Sequence, residues 1–340
     1  MSGLSRLSIF RPDPFTLGIV GAVALASALP ARGQTAEALG TLVKVAITAM
    51  FFLYGARLKR ELVISNLTNW RLHVAITLIS FVLFPLVALT SGVLVPHVLS
   101  PDLYVGIVFL SALPSTLQAS IVFTSIARGN VAGAVCSASL SNLLGVVLTP
   151  LLVMLLLNRS GAGMSLHAIE AIALQLLVPF IAGQLSRPFI GGWADRHKAL
   201  LTFIDRISIL LLVYSAFSEA VAGALWQRLG AADIAAAVSV DVVLLIFVLL
   251  ATRMIARRIG FSRADEIAIV FCGSKKSMVC GLPMANVLFA GGAIGVIVIP
   301  LMMFHQLQLI ACAMLARRYA GEPPIVDDEA RLGVTGSQPA

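Results

Sequence analysis

The chain has 340 residues, of which 59% are hydrophobic and only 12% are charged, and its formal net charge is +8. This composition excludes an ordinary soluble globular domain, in which about a quarter of the residues are charged. Hydrophobic runs of about 18 to 25 residues recur between short polar breaks, and a helix needs this length to cross about 30 Å of hydrocarbon. The sequence therefore predicts an all-α integral membrane protein.

Ten such runs follow one another along the chain with little sequence between them. The predicted spans are 15–31, 37–56, 71–95, 102–127, 130–157, 166–188, 201–226, 233–253, 265–290 and 292–316. We expect residues 1–14 to form a cytoplasmic N-terminus and the tail 320–340, which contains Pro, Gly and acidic residues, to be a disordered cytoplasmic segment. No length of chain remains for a folded soluble domain, so the function must be carried out within or across the bilayer.

The basic residues are distributed unevenly between alternate loops. If both termini are cytoplasmic, 18 of the 24 Lys and Arg residues fall on the cytoplasmic side and four fall outside, Arg32, Lys44, Arg159 and Arg228; the other two, Lys275 and Lys276, lie within a predicted span. This asymmetry predicts an inner-membrane protein with both termini in the cytoplasm. The positive charge is accounted for by attraction to anionic membrane lipids, so no nucleic-acid partner is expected.

Ten spans divide into two sets of five, 15–157 and 166–319. Because five is odd, the second set enters the membrane from the opposite side, as in the inverted repeats of many secondary transporters. The fourth span of each set is interrupted by helix breakers and small polar residues. The residues concerned are Pro114, Ser115, Thr116, Gln118 and Ser120 in the first set, and Gly273, Ser274, Lys275, Lys276, Ser277, Gly281 and Pro283 in the second.

The two adjacent lysines in FCGSKKSMVCGLP are the strongest indication of function. An ammonium group costs roughly 3 kcal/mol at the centre of a spanning helix, so it is rarely placed there without a role. Lys275 is 12 residues beyond the cytoplasmic Arg263. That is about 18 Å along a helix, too far for the side chain to reach the interface. We expect both lysines to face the protein interior, where the broken ends of the two fourth spans offer backbone groups to a ligand.

Four further residues are candidates for the same site. Glu219 and Asp241 are the acids placed within the hydrocarbon, and either could pair with a lysine; alternatively, Glu219 lies in the outer interface. His305 and Gln306 lie with Gln308 in a polar patch in MMFHQLQLI, either as satisfied interhelical hydrogen-bonding groups or as a proton relay or substrate contact.

Enzyme chemistry is not expected. A Ser–Lys dyad is disfavoured because neighbouring residues of a helix do not face each other, and no phosphate-binding loop is present. The four cysteines lack metal-ligand spacing, so neither a metal nor another cofactor is predicted.

Three segments resemble the bile acid:sodium symporter family, and most closely its divergent SBF-like branch. They are FFLYGARL at the end of the second span, the segment 113–152 that begins LPSTLQAS, and the segment 265–292 that begins DEIAIVFCGSKK. The resemblance covers about 15–319. It implies ten helices in two inverted five-helix repeats, with spans one, two, six and seven in a panel and the others in a core where spans four and nine cross.

The resemblance also indicates where the family binds sodium, and this chain departs from it there. The family's glutamate, glutamine and asparagine of the ninth helix correspond to Phe271, Lys275 and Lys276. The remaining ligand positions correspond to Ser80, Ala134, Ala138 and Ala119–Ser120, with Gln118 as an alternative. A lysine ammonium repels Na⁺ and can donate to the same carbonyl groups. We therefore expect coupling to sodium to be replaced by coupling to protons, or to be lost.

Together these observations predict a secondary active transporter that moves a small organic anion by alternating access. Lys275 and Lys276 would act as built-in cations, neutralised by the substrate or by loss of a proton. The alternatives are a cation/proton exchanger and a non-transporting membrane regulator of ion homeostasis. The sequence leaves open the identity of the anion, the direction of transport and the oligomeric state.

Overall fold

The structure is a computed structural model that describes residues 14–57, 69–158, 173–223, 229–290 and 293–321. Within these ranges all regular structure is helical. The helices, in chain order, are α1 (Pro14–Ala28), α2 (Gln34–Arg57), α3 (Trp70–Leu94), α4a (Pro101–Ala112), α4b (Leu117–Ile126), α5 (Val131–Asn158), α6 (Val178–Arg196, preceded by a π-helical turn at Ala173–Leu177), α7 (Lys198–Ala222), α8 (Ala231–Arg258), α9a (Arg263–Gly273), α9b (Met278–Leu288) and α10 (Ile294–Gly321).

Seven helical segments of the described chain are long and apolar enough to cross a membrane, with α9a and α9b taken as one segment. The number rises to eight if the bent pair α4a and α4b is counted as a single span. A multi-pass, all-α membrane protein is therefore confirmed. A helix lies at each of the ten predicted positions, but α1 is shorter than a full span and α6 is not among the seven. The ten crossings and the inverted repeat stay predictions, and residues 1–13 and 322–340 lie outside the described residues.

Both predicted interruptions are present, and local sequence explains them. Leu113 is extended because it precedes Pro114, which disfavours a helical conformation at that residue, and α4a and α4b are bent by 62° across the break. α9a ends at Gly273 and α9b begins at Met278, so both lysines lie between two helices. α9a starts at a Ser262 cap, whose Oγ accepts a hydrogen bond from the Asp265 N–H at 3.2 Å.

Contacts divide the chain into two compact units. Of the described residues, the first unit contains those within 14–57, 173–230 and 282–298, and the second contains those within 69–158, 231–281 and 299–321. The helices that the resemblance assigns to a panel, α1, α2, α6 and α7, all lie in the first unit. The second unit contains α4a, α4b and α9a, and therefore both breaks.

In the first unit, α2 and α6 approach closely through glycine. A Cβ atom on Gly183 would overlap the backbone oxygen of Phe52, and one on Gly55 would overlap the backbone oxygen of Phe180. Small residues permit such backbone contact between membrane helices, where van der Waals packing is a main source of association. The neighbouring helix α7 is joined to α2 by an ion pair between Arg57 and Asp205, 2.6 Å apart.

We predict that Gly183→Ala destabilises the protein by about 1–3 kcal/mol, because the added methyl group forces the two backbones apart. The measurement is thermal unfolding of the purified protein in detergent. Gly192→Ala is the matched control on the same helix, since a Cβ atom there meets nothing within 4 Å. Alanine is the better helix former, so the control should unfold at the same temperature or higher. Equal destabilisation by the two variants would contradict the close contact of α2 and α6.

Candidate functional site

In the second unit the two breaks hold each other in place through their backbone groups. The Ser277 N–H donates to the Pro114 oxygen at 2.9 Å, and the Thr116 hydroxyl donates to the Lys276 oxygen at 2.8 Å. Interrupting a helix leaves donors and acceptors without intrahelical partners, and such groups are costly in a membrane unless the protein supplies a partner. The break between α4a and α4b and the break between α9a and α9b therefore supply hydrogen-bond partners to each other.

The ammonium group of Lys276 is completely buried and makes three hydrogen bonds. Its Nζ donates to the backbone oxygens of Ser80 at 2.7 Å, Ser111 at 2.5 Å and Leu113 at 2.9 Å. It also lies 4.2 Å from the centroid of the Phe84 ring, within the range of a cation–π interaction. An ammonium group has three donors, so all of them are used.

The local backbone explains why these three oxygens are available. Ser111 belongs to the last turn of α4a and Leu113 follows its end, where carbonyl groups lack intrahelical partners and the helix dipole is negative. Ser80 lies in a π-helical turn, Ile79–Leu83, which shifts the regular hydrogen-bonding pattern of α3. Lys276 thus donates to backbone oxygens of α3 and α4a at positions where regular helical hydrogen bonding is interrupted. It also places a positive charge at the negative end of α4a.

The backbone of Lys276 is fixed by Gln308 on α10. The Lys276 N–H donates to Gln308 Oε1 at 2.8 Å, and Gln308 Nε2 donates to the Lys276 oxygen at 2.9 Å. Gln308 is fully buried and lies 2.9 Å from His305 Nδ1. The sequence places Gln308 in the same polar patch as His305 and Gln306, but only His305 and Gln306 were expected to contribute to the site. Its spacing of three residues from His305, which places both on one helix face, is the signal that could have identified it.

The neighbouring Lys275 has a different environment. It is also completely buried, but its Nζ has no hydrogen-bond partner in the part of the chain that the structure describes. The nitrogen lies 3.8 Å from the centroid of the Phe123 ring and 5.5 Å from that of Phe271. Cation–π interaction with these two rings stabilises the charge, while none of its three donors is bonded to a residue that the structure describes.

The hydroxyl groups predicted on α4b and at the first break are buried and bonded to protein. Ser120 Oγ donates to the Phe271 oxygen at 3.0 Å and lies 3.4 Å from Ser115 Oγ. The Ser115 N–H donates to Ser141 Oγ at 3.0 Å. These contacts connect α4b with α9a and α5 around the lysines, so both serines lie in the predicted cluster.

The two serines that flank the lysines are also buried. Ser274 Oγ donates to the Val270 oxygen at 2.6 Å, and Ser277 Oγ accepts a hydrogen bond from the Cys280 N–H at 3.3 Å. Each hydroxyl therefore caps the adjoining half-helix.

Two predicted residues are not enclosed with the others. Gln118 on α4b has an exposed side chain, and Gln306 on α10 is half-buried. His305 is buried beside Gln308. The structure therefore groups His305, but not Gln118, with the buried cluster.

The two predicted acidic partners are not paired with the lysines. Glu219 is an exposed residue of the first unit. Asp241 on α8 is completely buried in the second unit, and neither of its carboxylate oxygens has a hydrogen-bond partner among the residues described. The expected pairing of Asp241 with a lysine is therefore not formed in this structure: the Asp241 carboxylate and the Lys275 Nζ are both buried, and neither bonds to the other.

Comparison with known proteins identifies the family of the chain. Residues 13–321 match the family model described as the SBF-like CPA transporter family. The chain is 52% identical over 312 residues to an uncharacterized protein of Pseudomonas aeruginosa, covering 92% of this chain and 94% of that protein. It is 50% identical over 314 residues to YfeH of Escherichia coli, which carries the word symporter in its name, covering 92% and 95%.

A vertebrate relative extends the similarity. Sodium/bile acid cotransporter 7 of Mus musculus is 27% identical over 315 residues, covering 90% of this chain and 92% of that protein. The chain therefore belongs to the SBF-like CPA transporter family, and it is a multi-pass membrane transporter of the bile acid:sodium symporter type.

Proposed function

We propose that the protein is a secondary active transporter that carries a small organic anion across the inner membrane by alternating access, coupled to protons rather than to sodium. In this proposal ten helices form two inverted five-helix repeats, both termini are cytoplasmic, and the broken helices α4 and α9 hold the substrate. No catalytic step and no cofactor are assigned. The observation that carries the proposal is the difference between two adjacent buried lysines: all three donors of Lys276 Nζ are bonded, and none of those of Lys275 Nζ is bonded to a described residue.

Lys276 acts in this proposal as a permanent cation. Its Nζ is bound by three backbone oxygens, as a metal ion bound by carbonyl groups would be. Two unit charges 4 Å apart repel by about 4 kcal/mol at an effective dielectric constant of 20, so a sodium ion close to this ammonium group would be strongly disfavoured. This geometry supports the replacement of a coupling ion by a covalently attached charge.

Lys275 acts in this proposal as the exchangeable group. A buried ammonium group without a hydrogen-bond acceptor gains stability either by meeting a carboxylate or another anion, or by releasing a proton. The half-helices α4b and α9b begin directly after the two breaks, at Leu117 and Met278, and helix N-termini favour anions. Substrate anion and proton would therefore compete for one amine, which couples their movements.

The enclosure of the site supports alternating access. Lys275 has no exposed surface in this structure, so neither an anion nor water reaches its Nζ from either side. Transport then requires a second conformation that opens the contact between the two breaks.

The first prediction concerns stability. Lys276→Met should destabilise the protein by about 3 kcal/mol or more, because three buried carbonyl groups lose their donor. Lys275→Met should be neutral or stabilising, because an apolar side chain replaces an amine without an acceptor beside Phe123 and Phe271. Thermal unfolding in detergent measures both. A loss at Lys275→Met as large as that at Lys276→Met would mean that Lys275 has a structural partner.

The second prediction concerns transport. In proteoliposomes with a pH-sensitive dye inside and a panel of organic anions outside, we expect anion-dependent proton movement without added sodium. Lys275→Gln should reduce it at least tenfold, because the variant carries no exchangeable charge. Lys44→Gln removes an exposed lysine from α2 and is the matched control. Sodium-driven uptake that Lys275→Gln leaves unchanged would exclude this proposal.

A second candidate function, cation/proton exchange, is favoured by Asp241. A completely buried carboxyl group without a partner is a group that can bind a proton or a cation inside a membrane protein. The exchanger predicts proton movement driven by a gradient of Na⁺, K⁺ or Li⁺ with no organic anion present. It also predicts that Asp241→Asn abolishes this movement while Asp102→Asn, at an exposed position, does not. Proton movement that requires an organic anion would argue against the exchanger.

A further inference from the structure

Two aromatic rings of the second unit cover the amine of Lys275, and they differ in how firmly they are held. The Lys275 Nζ lies 3.8 Å from the centroid of the Phe123 ring on α4b and 5.5 Å from that of the Phe271 ring on α9a. Phe271 is fully buried, whereas Phe123 is half-buried and keeps part of its surface exposed. The ring that lies nearer to the amine is therefore also the one that reaches the protein surface.

The Phe271 ring is fixed by the residues around it. Its centroid lies 6.2 Å from that of Tyr319 on α10, and Tyr319 is itself buried. The Tyr319 hydroxyl donates to Glu266 Oε1 at 2.9 Å, and Arg253 lies 3.3 Å from the same carboxylate. Moving the Phe271 ring away from Lys275 would therefore disturb a buried and bonded cluster.

The Phe123 ring is less constrained. It packs against the edge of the same buried cluster, with its centroid 6.0 Å from that of Phe271. A phenylalanine side chain has no polar atom, so rotation about χ1 moves the ring without breaking a hydrogen bond. Side chains that reach the surface also change rotamer faster than helices rearrange. Of the two rings, Phe123 therefore moves away from the amine at the lower cost.

The position of the Phe123 ring determines what can approach Lys275. The face of an aromatic ring carries partial negative charge, so it attracts an ammonium group and repels an anion. A carboxylate therefore reaches the Nζ only after the ring has moved. It then meets an amine whose three donors are not bonded to any described residue.

We propose that Phe123 is the specificity-determining residue at Lys275: its ring covers the Nζ in the empty site, and an organic anion binds by taking the place of the ring. This inference rests on the proposed function, in which Lys275 binds the substrate. The space that the ring leaves is the size of a benzyl group and is bordered by Phe271. The anion that fits it carries a carboxylate for the Nζ beside a flat apolar body.

The first measurement is the rate at which Lys275 is reductively methylated in the folded, full-length protein in detergent, read by peptide mass spectrometry. The wild-type residue should react very slowly, because it has no exposed surface. Phe123→Ala should raise the rate at least tenfold, because it uncovers the Nζ. Val122→Ala is the matched control, since Val122 is the preceding residue of α4b and is 53% exposed, and it should leave the rate unchanged.

The other lysines serve as internal controls in the same samples. Three backbone oxygens hold the Lys276 Nζ, so Lys276 should stay unmethylated in every variant that keeps the fold. Lys44 is exposed and should react equally in all variants. Phe123→Leu is a milder second variant that keeps an apolar side chain but removes the ring, and it should also raise the rate at Lys275.

The second measurement is protection of Lys275 from methylation in Phe123→Ala, where the benzyl-sized space is permanently open. Benzoate has a carboxylate for the Nζ and a ring for this space. It should therefore protect at a concentration at least tenfold lower than acetate, which lacks the ring, and than benzamide, which lacks the charge.

The outcomes separate this inference from the proposed function. A methylation rate that Phe123→Ala leaves unchanged, or that Val122→Ala raises as much, would overturn the role of Phe123. Protection by acetate equal to that by benzoate would overturn the inferred shape of the anion. Protection by benzoate in a protein that shows no anion-dependent proton movement in proteoliposomes would support the binding site and exclude the proposed function.

Discussion

The ammonium group of Lys276 is the interaction on which the second unit depends. It joins α3, the end of α4a and the break of α9 by donating to one backbone oxygen of α3 and two at the end of α4a. In water these oxygens would be hydrated, but inside a membrane protein they need a donor from the chain itself. A single buried ammonium group therefore lowers the free-energy cost of bringing the two interrupted helices together, because it bonds carbonyl groups that would otherwise lack a donor.

The surrounding polar groups follow from this constraint. Gln308 fixes the backbone of Lys276, Thr116 donates to the same residue, and the flanking serines cap the half-helices. Once these bonds are made, the described residues around Lys275 offer it aromatic rings and no acceptor. The structure thus fixes one lysine firmly and leaves the Nζ of its neighbour without a hydrogen-bond partner among the described residues.

The chain belongs to a symporter-type family, yet it lacks the side chains that the resemblance assigns to sodium binding. The proposed role of Lys276 reconciles these two observations. Hydrophobic Phe271, Ala134 and Ala138 are buried where the resemblance places ligands. In the proposed function, the charge that a bound ion would contribute is supplied instead by Lys276, which cannot leave. The proposed transport cycle then has one movable charge fewer, and it assigns the exchangeable species to Lys275 or to another buried group such as Asp241.

The sequence by itself determined the membrane class, the helix positions, both interruptions and the burial of the lysines. Each of these follows from hydrophobic length, from proline and glycine, or from the cost of a charge in hydrocarbon. Only the tertiary structure decided which lysine is bonded, that Gln308 holds its backbone, and that Asp241 has no hydrogen-bond partner among the described residues. These facts depend on contacts between residues far apart in the chain, such as Ser80 with Lys276, and no local pattern in the sequence records which distant carbonyl group a side chain will reach.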